Sequence, residues 1–262
     1  MSLQPPLVQF NKVSVRFGAF EVHKEISFDI YEGQVVTLLG PSGAGKTVIL
    51  KLMIGLLQPN SGTIHVCGKR IDNLLEEDLR EVRMEIGMLF QGAALFDSMN
   101  VYENISYALR ERGQLSVAEM KDIVAEKLRL INLPGIENKY PHELSGGQKK
   151  RVGLARALAS SPKIILFDEP TTGLDPTSVR VIDDLIIRLK RDFQITSIVV
   201  THDIESARRI SDRWMLVSEG KILADGPKSE LENSNNDVKD FITGNWLSRL
   251  EKPVHFSHNN IE

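Results

Sequence analysis

The apolar run Val35–Leu39 leads directly into Gly40-Pro41-Ser42-Gly43-Ala44-Gly45-Lys46-Thr47, and a helical pattern follows. This stretch satisfies G-x-x-x-x-G-K-[ST] in the strand-then-helix context that the motif requires. Its glycines let the loop curl so that backbone N–H groups point at phosphate oxygens, and the helix N-terminus adds partial positive charge. Lys46 would neutralise the β- and γ-phosphates, and the Thr47 hydroxyl would ligate Mg²⁺. A glycine-rich turn that matches by chance is the alternative, and the flanking context disfavours it.

A second apolar run, Ile164–Phe167, ends in the acids Asp168 and Glu169. Buried strand residues place such carboxylates at the carboxyl edge of a sheet, where open α/β folds bind ligands. Asp168 would hold Mg²⁺ through its shell, and Glu169 would accept a proton from the attacking water. His202 ends the similar run Ser197–Thr201, and a γ-phosphate sensor is favoured there over a purely structural histidine.

Apolar segments alternate with helical patterns along the chain, which predicts a mainly parallel, three-layer α/β core. The first two apolar segments are close together, so a small antiparallel sheet is expected beside that core. Residues 92–160 are almost purely helical in pattern and predict a helical insertion between the two halves. The predicted divisions are residues 1–91 (antiparallel subdomain and first half of the core), 92–160, 161–232 (second half) and 233–262 (C-terminal helix and tail).

Composition excludes several classes of protein. Among 262 residues, 42% are hydrophobic and 26% charged, with a net charge of −3, so neither a nucleic-acid binder nor a polybasic membrane-surface protein is indicated. A single cysteine, Cys67, excludes an internal disulfide framework. Residues 1–6 lack the pattern of a signal peptide, and the apolar runs are too short to cross a bilayer. Any membrane role is therefore expected to come through a partner.

Leu144-Ser145-Gly146-Gly147-Gln148 resembles the signature motif of ABC ATPases and lies between the two nucleotide-binding motifs, as it does in that family. The resemblance extends from Leu7 to about Leu231. It implies a P-loop NTPase (RecA-like) core with an antiparallel β subdomain and a helical insertion. It also implies that ATP, with Mg²⁺, is held by one subunit and capped by the signature of another, so a homodimer or a pair with a similar chain is expected.

The resemblance assigns further residues by position. Phe17 matches the aromatic residue that stacks on adenine, and Asp175 matches the loop that crosses the dimer interface. The catalytic set is then Glu169, His202, Gln91 and Lys46, and the metal set is Thr47, Gln91 and Asp168. The signature residues that would act on the partner's ATP are Ser145, Gly146, Gly147 and Gln148. The nucleotide-binding residues are Phe17, Gly40, Pro41, Ser42, Gly43, Ala44, Gly45, Lys46, Thr47 and Val48.

Two local features qualify this picture. Many family members carry a second Thr where this chain has Val48, so one hydroxyl contact to the α-phosphate should be missing, with a modest effect on affinity. Three basic residues, Lys149-Lys150-Arg151, follow the signature. They alternate with apolar residues on one helix, which predicts a solvated helix face rather than a nucleic-acid contact.

The segment Met88–Val101 resembles the region after the Q-loop in ATPases of MCE-type lipid transporters, the Mla family. That resemblance implies two copies on the cytoplasmic face of the inner membrane. They would bind an integral-membrane permease and an MCE-domain lipid-binding protein, with a small accessory subunit as a further candidate partner, and would traffic phospholipid across the Gram-negative envelope. The expected groove for the permease's coupling helix is formed by Ala94, Leu95, Phe96 and Met99, with packing inside the helical insertion as the alternative.

Other functions remain in competition. An importer of polar solutes such as amino acids would use the same ATPase, and a soluble ABC protein of DNA repair or translation would usually carry a long coiled-coil insertion or tandem cassettes. At the C-terminus, Asn233–Asp237 predicts a polar break before a short amphipathic helix. That helix would dock on a partner subunit or pack on its own domain; its apolar face comprises Val238, Phe241, Ile242, Trp246 and Leu250.

Overall fold

The structure is a computed structural model that describes residues 5–246, in which ten strands and nine α-helices are defined. The opening Met1–Gln4 and the tail from Leu247, including Leu250, lie outside this range. The strands are β1 (Val8–Phe17), β2 (Phe20–Ile30), β3 (Val35–Leu39), β4 (Ser61–Val66), β5 (Lys69–Arg70), β6 (Ile86–Leu89), β7 (Ile164–Asp168), β8 (Thr196–Val200), β9 (Arg213–Ser218) and β10 (Lys221–Pro227).

The helices lie between these strands or follow them, and a single 3₁₀ turn covers Pro141–Glu143. None of the helices within residues 5–246 is both long and apolar enough to cross a membrane. The helices are α1 (Lys46–Met53), α2 (Glu76–Met84), α3 (Val101–Arg112), α4 (Val117–Leu130), α5 (Gly146–Leu158), α6 (Pro176–Phe193), α7 (Ile204–Ile210), α8 (Lys228–Ser234) and α9 (Asn236–Ile242).

A six-stranded sheet forms the centre, in the order β10-β9-β3-β8-β7-β6. All neighbouring strands are parallel except the β9–β10 pair at one edge. Strands β3 and β8 are buried along their whole length, as expected for strands that have helices or a second sheet on both faces. The carboxyl ends of β3, β6, β7 and β8 therefore meet at one edge. The predicted parallel α/β core is confirmed.

A second, antiparallel sheet has the order β2-β1-β4-β5. Strands β1 and β2 form the hairpin expected from their closeness in sequence, with Val8 opposite Ile30 and Phe17 opposite Phe20. Phe10 and Phe28 stack across this pair with ring centroids 4.5 Å apart. The antiparallel subdomain predicted beside the core is confirmed.

Alternating side chains of the central strands pack into two different hydrophobic cores, one on each face of the sheet. In β7, Ile164 and Leu166 face the core shared with the antiparallel sheet and α1, whereas Ile165 and Phe167 face the core built by α3, α4, α5 and α6. Because successive side chains of a strand point to opposite faces, the helical region packs on one face of the sheet and the β subdomain packs on the other.

Three helices, α3, α4 and α5, account for the helical pattern predicted over residues 92–160. Each begins with a capping box, in which the first polar side chain and the residue three positions later exchange hydrogen bonds with backbone N–H groups. The pairs are Asn100 with Glu103, Ser116 with Glu119, and Ser145 with Gln148. Sequence-local capping therefore sets where each of these helices starts.

The C-terminal region packs on its own domain. Val238 and Trp246 are buried in a third core with Trp214 and Leu216 of β9, and Phe241 and Ile242 pack against it while half-buried. The predicted polar break at Asn233–Asp237 is wrong in extent. Only Asn235 is non-helical there, because its side chain caps α9 by accepting the N–H of Val238.

Candidate functional site

The loop between β3 and α1 is shaped by glycines that no other residue could replace. Gly45 has φ = 88°, and an added Cβ would lie 2.7 Å from the His23 ring and from Val22. Gly40 has φ = 145°, and its Cβ would lie 2.0 Å from the carbonyl oxygen of Val217. Both the left-handed backbone and the close neighbours therefore require glycine.

His23 supports this loop from β2. Its Nε2 lies 3.0 Å from the Gly45 carbonyl oxygen, and the side chain is fully buried. Burial lowers the pKa of His23, and the hydrogen bond to Gly45 works against that shift. A neutral imidazole that donates from Nε2 satisfies this geometry and fixes the loop without adding charge to it.

Lys46 is buried, and its ammonium donates to the carbonyl oxygens of Gly40, at 2.7 Å, and Pro41, at 2.9 Å. Burial lowers the pKa of Lys46, while the negative charges of Glu169 and Asp168 raise it. The loop thus positions a cation where an anionic phosphate would complete its coordination.

Asp168 lies at the end of β7, and its Oδ1 accepts a hydrogen bond of 3.0 Å from the Thr47 hydroxyl. Burial raises the pKa of the Asp168 carboxyl, against the opposing effect of the Thr47 hydrogen bond. The Gln91 side chain follows β6 at the same sheet edge. Mg²⁺ prefers such oxygen donors, and it commonly uses one or two protein ligands plus phosphates and water, so this set fits it.

Glu169 has the most constrained geometry at this edge. Its φ of 52° is left-handed, and its N–H donates to the Val200 carbonyl oxygen at 2.9 Å. Its Oε2 accepts a hydrogen bond of 3.1 Å from the Thr172 hydroxyl and lies 2.8 Å from Nδ1 of His202. The carboxylate is therefore aimed by two side chains toward the cavity above Lys46.

A cavity of about 500 Å³ joins these groups. Most of the residues predicted from the sequence to bind nucleotide or metal, or to act in catalysis, line this cavity. Three of them do not: Phe17, Gly40 and Pro41. Phe17 is half exposed at the end of β1. Its walls are Val22, Ser42, Gly43, Ala44, Gly45, Lys46, Thr47, Val48, Gln91, Asp168, Glu169, Val200 and His202.

The signature residues lie on a different, exposed face at the start of α5. Ser145 accepts the N–H of Gln148 at 3.3 Å, and the Gln148 side chain accepts the N–H of Ser145 at 2.9 Å. A Cβ on Gly147 would lie 2.9 Å from the Ser178 hydroxyl, so α5 and α6 touch here. None of Ser145, Gly146, Gly147 or Gln148 lines the cavity at Lys46.

Asp175 belongs to this same face. It caps α6 by accepting the N–H groups of Thr177 and Ser178, each at 3.0 Å, and the Ser178 hydroxyl at 2.6 Å. The hydrogen bonds from Ser178 hold the pKa of the Asp175 carboxyl below its usual range. The loop predicted to cross a dimer interface and the signature are thus joined through Ser178.

The basic residues after the signature do not form the predicted solvated face. Lys150 is 5% exposed, and its ammonium donates to the Glu169 carbonyl oxygen at 3.0 Å. Arg151 is half-buried and donates to the Ile131 carbonyl oxygen at 3.2 Å. The solvated-face prediction is therefore wrong for Lys150, because strand β7 brings the Glu169 carbonyl over this turn of α5.

A larger groove of about 1260 Å³ lies between α2, α3, α5 and the segment after β6. Ala94 and Phe96 line it, as predicted, whereas Leu95 is half-buried against the core of the helical region and Met99 is half-buried outside the groove lining. Arg156 of α5 holds the groove wall by donating to the carbonyl oxygens of Ala93, at 2.9 Å, and Ala94, at 2.6 Å.

Sequence reasoning missed several residues that build the site. Val22, His23, Thr172 and Val200 carry no motif of their own and reach the site only because β2, β7 and β8 converge. Thr172 could have been found, since it lies three residues after Glu169 in a turn.

The fold and the site together define a phosphate-binding-loop nucleoside triphosphatase. Residues 23–172 match the ABC transporter family. The chain therefore belongs to the ABC transporter family, and it is an ATPase whose reaction is coupled to transport.

Two relatives and one solved structure are among the proteins that resemble this chain. The chain is 40% identical over 93% of its length to the Mycobacterium leprae "Probable ribonucleotide transport ATP-binding protein mkl", covering 70% of it. It is 37% identical over 96% of its length to the Haemophilus influenzae "Intermembrane phospholipid transport system ATP-binding protein MlaF", covering 94% of it. The dimeric ATP-binding cassette MJ0796, bound to ADP and phosphate, superimposes with a TM-score of 0.77 at 32% identity, covering 84% of this chain and 98% of that one.

Proposed function

We propose that Glu169 is the general base of ATP hydrolysis and that His202 senses the γ-phosphate. The observation that carries this is the 2.8 Å contact between the two side chains at the cavity that Lys46 lines. A carboxylate held within hydrogen-bond reach of the reacting region can accept the proton of an attacking water. The Lys46 ammonium, released from the carbonyl oxygens of the loop, binds the β- and γ-phosphates and neutralises charge there.

Thr47, Asp168 and Gln91 would hold Mg²⁺, which would offset the negative charge of the phosphates. The support is the hydrogen bond between Thr47 and Asp168 and the shared lining of one cavity by all three side chains.

The working unit is a dimer in which the signature face of one copy covers the ATP held by the other. Two observations support this arrangement: Ser145 and Gly146 are exposed while Gly147 and Gln148 are half-buried, and none of the four lines its own chain's cavity. Ser145 begins α5, so the free N–H groups and partial positive charge of that helix end would face the partner's phosphates. Phe17, half exposed at the end of β1, would stack on adenine, and Asp175 would lie at the interface.

The 1260 Å³ groove would receive the coupling helix of an integral-membrane permease. Phe96 is 43% exposed there and stacks obliquely on Tyr107 with ring centroids 5.1 Å apart. An exposed aromatic pair beside an apolar concavity is typical of a helix-binding groove. Through this contact the ATPase would lie on the cytoplasmic face of the inner membrane.

The transported substrate is proposed to be phospholipid, with an MCE-domain lipid-binding protein as a further partner and room for a small accessory subunit. The similarity to the intermembrane phospholipid transport ATPase over 94% of that protein supports this choice. The named ribonucleotide transport relative supports the second candidate, a polar-solute importer that uses the same ATPase.

Purification of the tagged full chain from its native membranes in mild detergent, followed by identification of the bound proteins, tests the transport assignment. The lipid reading predicts a permease together with an MCE-domain protein and bound phospholipid. A permease that instead accompanies a polar-solute-binding protein would overturn the lipid assignment and leave the ATPase assignment intact.

A further inference from the structure

Lys150 on α5 is a buried charged side chain that forms no ion pair within residues 5–246. Burial lowers the pKa of Lys150, and the nearby charges of Glu169 and Asp168 raise it. Lys150 is 5% exposed, and its ammonium donates to the main-chain oxygen of Glu169 at 3.0 Å. Lysine is rarely buried unless it is paired, because removing an ammonium from water is costly. A lysine kept in such a place therefore has a specific local task.

Glu169 needs support from its neighbours because its backbone is left-handed, with φ = 52°. A non-glycine residue keeps such a conformation only when its surroundings impose it. The Glu169 N–H is held by the Val200 carbonyl, and its carboxylate by Thr172 and His202. Lys150 holds the remaining polar group of this residue, its carbonyl oxygen, at 3.0 Å, and the Thr172 N–H is a second, more distant donor to the same oxygen at 3.4 Å.

Of these anchors, Lys150 is the one that belongs to the signature helix. It lies five residues after Ser145, about one and a half turns into α5. The start of α5 is fixed by the capping box of Ser145 and Gln148 and by contact of Gly147 with Ser178. A short, capped helix moves as one body, so a displacement of the signature face displaces the Lys150 ammonium with it.

We propose that Lys150 is a positioning residue that couples the signature face of a subunit to the Glu169 of that same subunit. When the ATP held by the partner binds to the signature of one copy, Lys150 of that copy positions its own Glu169. That Glu169 acts on the ATP held by its own loop, which is the other ATP site of the dimer. The proposal rests on the proposed function, in which Glu169 is the base and the signature acts on the partner's ATP.

The test uses Lys150→Met in the full chain, which keeps the length and removes the donor. Loss of a hydrogen bond from a charged group predicts a kcat at least about tenfold lower. Binding of a non-hydrolysable ATP analogue should change by less than about threefold, because Lys150 does not line the nucleotide cavity. Lys149→Met, at the adjacent half-buried position, is the matched control and should keep the wild-type kcat.

Conservative variants separate positioning from mere folding. Lys150→Arg keeps a charged donor and should recover most of the kcat, and Lys150→Gln keeps a shorter neutral donor and should give an intermediate value. If Lys150→Met does not fold, these two variants carry the test. Wild-type kcat in folded Lys150→Met or Lys150→Gln would overturn the proposal.

A double variant shows whether Lys150 acts through Glu169. In the Glu169→Gln background, Lys150→Met should lower the residual hydrolysis by less than about twofold, since the base is already absent. A full tenfold loss in that background would overturn the coupling. If Glu169→Gln alone hydrolyses ATP at the wild-type rate, the proposed base is wrong and the inference falls with it. If Lys150→Met keeps the wild-type kcat while Glu169→Gln is inactive, the positioning role of Lys150 is wrong and the assignment of Glu169 as the base stands.

Discussion

At the scale of single residues, Glu169 combines a left-handed backbone with a carboxylate that two side chains hold. Such backbone strain costs about 1–3 kcal/mol and persists where the surroundings impose it, which is common at functional sites. Glu219 also has a left-handed backbone, with φ = 50°, but lies in an exposed turn between β9 and β10. The strain alone therefore does not mark a base; its combination with His202 and Lys46 does.

Glu169→Gln should lower the ATP hydrolysis rate by at least about a hundredfold, because the amide cannot accept the proton of water. ATP binding should persist, since Lys46 and the loop are unchanged, and a closed ATP-bound dimer should accumulate. Phosphate release and size-exclusion chromatography with ATP measure the two effects. Glu219→Gln is the matched control and should hydrolyse at the wild-type rate; normal hydrolysis by Glu169→Gln would remove the base assignment.

Val48→Thr should tighten ATP binding by about two- to tenfold, because the added hydroxyl offers one more hydrogen bond to the nucleotide. Val48 lines the nucleotide cavity and is half-buried, so the nearly isosteric change fits without rearrangement. Calorimetric titration with a non-hydrolysable analogue measures the effect. Val48→Ala, which adds no hydroxyl, serves as the control. Equal affinity in the wild type and Val48→Thr would show that the missing hydroxyl does not affect ATP binding.

The positions of some site residues could be predicted from the sequence, because these residues directly follow recognisable strands. Lys46, Thr47, Asp168 and Glu169 follow directly from buried strands, so their meeting at one sheet edge could be foreseen. Lys150 could not, because its burial depends on Glu169, the residue after β7, lying beside α5, and a helical charge pattern alone resembles a solvated face. The burial of Lys150 is determined by its neighbours in the tertiary structure and not by the local sequence pattern.

At the scale of elements, α5 contacts three regions with separate roles. Its first residues form the exposed signature, its middle holds Glu169 through Lys150, and its end holds the groove wall through Arg156. Gly87 permits the close approach of β6, since a Cβ there would lie 2.4 Å from the Ala157 carbonyl oxygen. The helix therefore connects the nucleotide side of the molecule to the groove.

Phe96→Asp should abolish co-purification of the permease while leaving the melting temperature within a few degrees, because Phe96 is 43% exposed in the groove. Leu95→Asp is the contrasting variant. Its side chain packs against the core of the helical region, so a buried charge should destabilise the fold by about 1–3 kcal/mol. Thermal unfolding and pull-down separate them. Retained permease binding by Phe96→Asp would contradict the groove assignment.

Elements with weak patterns escaped sequence analysis. Strand β6 has only four residues, including Gly87 and Met88, which lack strong strand preference. Strand β10 ends in Asp225-Gly226-Pro227 and survives as an edge strand, where a proline need not donate to a neighbour. Helix α2 buries only Leu79 and Val82 among many charges. Continuously apolar strands such as β3 and β8 and capped helices such as α4 and α5 were predictable because their signals are local and strong.

At the scale of the whole molecule, the C-terminal helices complete a core instead of standing free. Val238 is fully buried against β9 and its neighbours in the third core. Docking on a partner and packing on the same domain were equally open from the sequence, since an amphipathic face does not identify what covers it. The structure favours packing on the same domain for residues up to Trp246.

Val238→Ala should destabilise the chain by about 1–3 kcal/mol, because it removes two methyl groups from a fully buried site. Val117→Ala is the matched control: Val117 is 62% exposed at the start of α4, and its loss should be nearly neutral. Urea denaturation of both variants gives the comparison. Equal stability of the two would show that the third core does not hold the C-terminal helices.

The central claim is that each ATP site is shared by two copies, and a complementation measurement tests it most directly. Lys46→Ala removes the phosphate-binding lysine, and Ser145→Arg blocks the signature; each variant alone should be nearly inactive. A mixed dimer regains one intact site, built from the loop of the Ser145→Arg copy and the signature of the Lys46→Ala copy. The account predicts that mixing the two variants restores ATP hydrolysis above that of either variant alone but below half of the wild-type rate, because only one site is intact and the copy that supplies its base carries a blocked signature. No restoration, with subunit exchange verified, would contradict the shared site.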